Sequence, residues 1–169
     1  MVRGLVDGAP WFTATRVSRI ALIGETFAAV RDVMIEGPSG LLAVHPPGSR
    51  PTWFPALRRV QWPNGAVAHA FSSEDPDSLR GPKFEAAWAD EVAKWRYADE
   101  TWDMLQFGLR LGSNPREVVT TTPRPIPLLR RLLDDPRVAV SRARTADNAK
   151  NLAPTFLPLR RFVASSPHE

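Results

Sequence analysis

Apolar residues run unbroken from Ile20 to Ile23, between Ser18-Arg19 and Gly24-Glu25-Thr26, a pattern that predicts a strand buried on both faces. A helix follows, with Thr26 as its N-cap, Phe27, Val30, Val33 and Met34 on one face at helical spacing, and Gly37-Pro38 as its stop. After the short apolar segment Leu41 to Val44, two alternating runs, Arg58 to Trp62 and Ala66 to Phe71, flank Pro63-Asn64-Gly65. Asn-Gly at that place predicts a β-hairpin, because both central residues tolerate positive φ. A polar loop, Ser72 to Ser78, leads through Leu79-Arg80-Gly81 to a second strand, Phe84 to Asp90. Ala93 to Ala98 and Thr101 to Leu111 predict an amphipathic helix carrying Trp102, Leu105 and Leu109 and closed by Gly112. The next strand, Glu117 to Thr121, is ended by Pro123 and Pro125, and Ile126 to Leu133 is helical. Val138 to Ser141 is a further strand candidate, and Met1 to Thr15, with Gly4, Gly8 and Pro10, reads as a helix remnant and a loop. Strand alternating with helix predicts an α/β fold with a mainly parallel sheet flanked by helices and an inserted antiparallel hairpin.

Two strand ends carry chemistry. Open parallel sheets bind ligands outside the carboxyl ends of their strands, and both Asp90-Glu91 and Thr120-Thr121-Thr122 fall there. A carboxylate at the tip of a strand, Asp90, can hold a magnesium ion through its water shell. Glu91 points to the other side and can polarise an attacking water. An Asp-Glu pair is also common at helix starts, so the neighbours must decide. Glu25 sits at another strand end, where capping the following helix is the plainer role. His45, His69 and His168 are not at metal-ligand spacing, and five tryptophans, Trp53, Trp62, Trp88, Trp95 and Trp102, suit a core better than a base-stacking platform.

Composition narrows the class. With 169 residues, 43% hydrophobic and 24% charged, the chain has the balance of one globular domain. No window approaches a membrane span, and the absence of cysteine excludes disulfides and thiolate sites, as suits a reducing cytoplasm. The formal net charge of +4 comes almost wholly from arginine, lysine occurring only at Lys83, Lys94 and Lys150. Such a surface is compatible with phosphate-rich partners, although a GC-rich genome produces the same bias.

Joined together, Arg19-Ile20-Ala21-Leu22-Ile23-Gly24-Glu25-Thr26, Trp62-Pro63-Asn64-Gly65-Ala66, Ser78-Leu79-Arg80-Gly81, Trp102-Asp103-Met104-Leu105, Thr120-Thr121-Thr122-Pro123 and Asp147-Asn148-Ala149-Lys150-Asn151-Leu152 carry a resemblance. The chain resembles the ATPase domain of the large terminase subunit of tailed bacteriophages, in the form found in prophages and gene transfer agents. The resemblance implies a P-loop NTPase-like sheet over residues 16–153, between a remnant at 1–15 and a tail at 154–169. It implies that Phe84 to Asp90 is the Walker B strand, with Asp90 on Mg2+ and Glu91 as the catalytic carboxylate. Thr120, Thr121 and Thr122 match the motif that couples the γ-phosphate of ATP to movement, and Arg80 matches an arginine finger for a neighbouring subunit's nucleotide. The implied partners are double-stranded DNA, the portal protein, the small terminase subunit and further copies in a ring, in the cytoplasm of a bacterial host and without a membrane. The family's Gly-Lys-Thr or Gly-Lys-Ser phosphate loop has no counterpart in Met1 to Thr15, and no acidic cluster suited to a two-metal nuclease follows Leu152. The resemblance is therefore to an interior piece lacking the phosphate-loop strand and helix, either part of the packaging motor or an inactive remnant that keeps a scaffold and a binding face.

Overall fold

The computed structural model describes residues 17–142 and, in backbone only, Leu5–Val6 and Ala9–Pro10. The chain divides into two compact units. One spans Arg3–Asp135; of the other only residues 136–142 are described, and they hold no regular secondary structure.

Strands β1 (Leu5–Val6) and β2 (Ala9–Pro10) pair antiparallel, Leu5 with Pro10 and Val6 with Ala9. At Leu5–Val6 and Ala9–Pro10 the expected helix remnant is therefore a pair of strands. The six-stranded sheet has the order β4 (Thr52–Phe54), β5 (Arg59–Gln61), β6 (Val67–Ser72), β3 (Arg19–Gly24), β7 (Ala86–Ala89), β8 (Arg116–Val119). From β6 to β8 it is parallel; β4, β5 and β6 pair antiparallel. The second strand of the expected hairpin, β6, is therefore itself part of the parallel core.

Strand β3 lies inside the sheet with both neighbours paired, which explains its unbroken apolar run. Ile20 and Leu22 enter one core with Ala68, Ala70 and Ala86, while Ala21 and Ile23 enter the other with Phe71, Ala87 and Ala89. Period-two alternation sends every residue into apolar surroundings on one face or the other. The first face is covered by α1, residues 27–35, and by Leu41 of α2 (Leu41–Val44); the second by α3 (Ala98–Gly108) and α4 (Pro127–Asp134) through Trp102, Leu105, Leu128 and Leu132. Trp62, Trp95 and Trp102 are buried, and Trp53 and Trp88 pack partly buried against the core.

Thr26 caps α1 as expected, its Oγ1 accepting from the Ala29 N–H at 3.0 Å. The helix then widens from its first turn, Phe27–Ala29, into π geometry over Val30–Ile35. That change of pitch overturns the expected face: Val30, Met34 and Ile35 are buried, and Val33 is 59% exposed. The turn before β6 also differs from expectation. Gly65 N–H donates to Trp62 O at 3.0 Å and Trp62 N–H to Ala66 O at 2.9 Å, so Pro63-Asn64 form the centre of the turn. Only Gly65 takes positive φ, +88°, after a turn that Pro63 pre-sets.

The predicted helix from Ala93 is interrupted. Val92–Lys94 is a single 3-10 turn, and α3 begins at Ala98. The Trp95 indole turns back and donates to Asp90 O at 2.9 Å, which breaks the helical path. At the other end α3 stops at Gly108, short of Gly112, because Phe84 N–H bonds Gly108 O at 2.8 Å. A Cβ on Gly108 would meet the Phe84 ring at 3.0 Å, so a larger residue there would press on the ring and require it to shift by a few tenths of an ångström. Val138 to Ser141 is not a strand: it has no ladder partner among the described residues. The motif Asp147 to Leu152 and the tail at 154–169 lie outside the described residues.

Candidate functional site

Parallel pairing brings the carboxyl ends of β3, β6, β7 and β8 to one edge of the sheet. The register Ala89↔Val119 places Asp90 beside Thr120, 30 residues away in sequence. Thr120 Oγ1 donates to Asp90 Oδ1 at 2.5 Å, and the Asp90 N–H donates to Ile23 O at 2.8 Å. Asp90 is thus held on both sides, its carboxylate by Thr120 after β8 and its backbone by Ile23 of β3.

Glu91 follows in the left-handed region, φ 52° and ψ 46°. A non-glycine residue held there costs about 1–3 kcal/mol, and such strain gathers at functional positions. The surroundings impose it. Trp95 binds Asp90 O on one side, and Val92 N–H donates to Thr120 O at 3.3 Å on the other. The Glu91 carboxylate is partly exposed, 3.8 Å from Lys94 Nζ, and accepts weakly from the Thr122 N–H at 3.4 Å. Thr121 Oγ1 accepts from the Ala93 N–H at 3.2 Å and donates to Thr122 O at 3.1 Å. Asp90, Glu91, Thr120, Thr121 and Thr122 therefore form one hydrogen-bonded cluster.

Arg80 stands apart from that cluster. It lies before the amino end of β7, exposed, paired with Asp77 at 2.7 Å, and lines a cleft with Met104, Phe107 and Arg110. Glu25 does not cap α1; Thr26 does, and the Glu25 carbonyl accepts from the hydroxyls of Ser73 at 2.9 Å and Ser72 at 3.3 Å. Those serines close the edge beside β3, and Thr101 Oγ1 donates to Ser73 O at 3.1 Å, tying the start of α3 to it. Sequence reasoning placed Ser72 and Ser73 in a polar loop; their signal was a pair of hydroxyls directly after an apolar strand.

Burial raises the Asp90 pKa above the ordinary carboxylate value, Glu91 adds to the rise, and the Thr120 hydrogen bond and Lys94 oppose it. A raised value in the folded state means that Asp90 favours folding only while protonated. Its contribution is complete below the unfolded-state pKa and is lost as pH rises through the folded one. Asp90→Asn, which can still accept from Thr120, is thus expected to melt above the wild type at pH 7. The difference should close as pH falls below the ordinary carboxylate range. A variant melting below the wild type at pH 7 would contradict the burial argument.

Among the described residues no cluster of three or more His, Cys, Asp or Glu could hold a metal by itself, and no helix is long and apolar enough to cross a membrane. A mainly parallel sheet with helices on both faces, carrying an acidic strand tip and a hydroxyl-rich neighbour at its carboxyl edge, defines an α/β fold. Within that class the chain belongs to the terminase large subunit family, T4likevirus-type, N-terminal part, whose model matches residues 6–166.

Two solved structures agree on the fold. The large terminase of a thermophilic bacteriophage superposes with a TM-score of 0.54 at 15% identity, over 66% of this chain and 28% of that one. The same terminase in complex with ADP gives 0.51 at 15% identity, over 63% and 27%. The ATPase domain of the Thermus phage P74-26 large terminase gives 0.45 at 13%, over 68% and 51%. The chain spans less than a third of the length of the first of these terminases. No curated protein matches it.

Proposed function

We propose that the edge formed by Asp90, Glu91 and Thr120 to Thr122 is the ATP-hydrolysing side of a viral DNA-packaging motor. The observation that carries this reading is the Thr120 Oγ1 to Asp90 Oδ1 hydrogen bond, which locks the acidic tip of β7 to the hydroxyl-rich tip of β8. Family membership supports the assignment to packaging, and a relative solved with ADP supports nucleotide as the ligand.

The donor set suits magnesium: oxygen donors, the Asp90 carboxylate beside the Thr120 hydroxyl and the Glu91 carboxylate in the same cluster. Mg2+ binds through one or two carboxylates together with phosphate oxygens and retained waters, so Asp90 would hold it. The ion would neutralise charge on the β- and γ-phosphate oxygens. Glu91 takes a proton from water as its oxygen bonds the γ-phosphorus and the bond to the ADP oxygen breaks. Thr120 is bonded to Asp90 and Thr121 to Ala93, so a shift at the phosphate is transmitted to β8 and to the turn after β7. Arg80, exposed and away from this edge, would reach the nucleotide of a neighbouring subunit in a ring. Double-stranded DNA, the portal protein and the small terminase subunit are the partners of this reading. Its setting is the cytoplasm of a bacterial host carrying a prophage or gene transfer agent.

A second reading is a catalytically inactive chain that keeps a scaffold and a DNA- or subunit-binding face. ATP turnover separates the two once the chain is joined to a Gly-Lys-Thr phosphate loop. The first reading expects Mg2+-dependent hydrolysis. Tight nucleotide binding without hydrolysis would support the second.

A further inference from the structure

A cleft of about 380 Å³ opens between the start of β3, β6 and the segment before β7, away from the carboxyl edge. Its floor is apolar, with Phe71 and Phe84 edge to face at 5.5 Å between ring centres. Its rim carries Arg19, Arg58 and Lys83, all exposed, and Leu57, 57% exposed. No carboxylate lines it, and none of these three cations has a carboxylate within 4.0 Å among the described residues. Arg31, Arg80 and Arg131, by contrast, are held by Asp32, Asp77 and Asp103. Burial first, then Arg59 and Arg19, hold the pKa of His69, which lines the cleft, below its ordinary value.

Arg58 adds a second sign. It sits at φ 47° and ψ 42°, a conformation that favours glycine, yet it bears a long cationic side chain over the Phe27 ring at 4.4 Å. Its backbone is locked by its own N–H to Pro55 O at 3.0 Å and by the Ala70 N–H to Arg58 O at 2.9 Å. A residue so held fixes the point on the rim from which its side chain projects.

We propose that this cleft docks an acidic peptide segment of a partner protein, which sets one aliphatic or aromatic side chain on the Phe71–Phe84 floor and its carboxylates against Arg19, Arg58 and Lys83. Charge selects the occupant. A second copy of the chain would bring a net charge of +4 toward the same cations. Duplex DNA satisfies cations through a hydrated, convex phosphate backbone and offers nothing apolar to fill the floor. An acidic segment with one apolar anchor meets both demands, in the manner of interface anchors ringed by polar contacts. The inference stands independently of the nucleotide reading.

Selection of phage-displayed random heptapeptides on the immobilised chain, followed by fluorescence anisotropy with the enriched peptide, tests it. Enriched peptides should carry an aliphatic or aromatic residue flanked by Asp or Glu. Arg58→Gly and Lys83→Ala should each weaken binding by about five-fold or more, and added salt should weaken it further. Arg58→Gly suits the left-handed backbone, so lost affinity there reports the missing cation and not an unfolded chain. Arg124→Ala, an exposed arginine outside the cleft, should leave binding within about two-fold. Enrichment of neutral or basic peptides, or acidic peptides indifferent to the two cleft variants, would overturn the proposal. So would a duplex of about 20 base pairs that competes with the peptide and loses affinity in the same variants, which would make this a nucleic-acid face.

Discussion

Glu91→Gln, in the chain joined to a phosphate loop, is expected to lower ATP turnover by about 10²–10⁴-fold while leaving ADP affinity within a few-fold. Glutamine is nearly isosteric and can still accept from the Thr122 N–H, so the cluster around residue 91 is kept. What it lacks is a group able to accept the water's proton. Because the loss falls on the chemical step, turnover should drop without a matching rise in KM. The strain at Glu91 bears on the same step. A residue at φ 52° that did nothing would be relieved as glycine, whereas a general base placed by that backbone is displaced by any relaxation. Glu91→Gln with undiminished turnover would remove Glu91 from the mechanism.

The second large effect is on folding. Phe84 is 1% exposed and meets Phe71 edge to face, while Gly108 packs against its ring so closely that a Cβ there would press on it. Phe84 also bonds through its backbone to Gly108 O and Leu111 N–H, joining the start of β7 to the end of α3. Phe84→Ala should therefore cost about 3–5 kcal/mol, the range for an aromatic truncated in a core. Domains of this size are stable by only about 5–15 kcal/mol, so Tm should fall by roughly 6–20 °C. Phe107→Ala, 71% exposed on the same helix, should change Tm by no more than a degree or two. A cost for Phe84→Ala near that of Phe107→Ala would mean that this corner packs otherwise.

Much of this architecture was legible in the sequence where one local rule dominates. The run Ile20 to Ile23 read as a strand covered on both faces, and Thr26 before Phe27 as a cap; both stand as read. Asp90 at the end of an apolar strand was legible for the same reason. Features set by tertiary contacts were not. No local signal distinguishes an α-turn from the π-turn over Val30–Ile35, and the exposure of Val33 follows from that choice. Trp95 ends the first helical turn after Glu91 by bonding Asp90 O, a contact with no spacing rule behind it. The hairpin was found through Asn64-Gly65, but Pro63 moved the turn one residue upstream and left only Gly65 in positive φ. At the site, hydroxyls and carboxylates were readable one strand at a time. Their union depends on the β7–β8 register, and a shift by a single residue would turn Thr120 to the other face.

The central claim is that ATP places its γ-phosphate at the tips of β7 and β8. Photolabelling with an ATP analogue carrying an azidoanilide on the γ-phosphate, in the presence of Mg2+ and with adducts mapped by mass spectrometry, tests it most directly. The account predicts adducts within residues 90–95 and 120–122 that excess ATP suppresses. Adducts confined to the Arg19, Arg58 and Lys83 cleft, or adducts that ATP does not suppress, would contradict it.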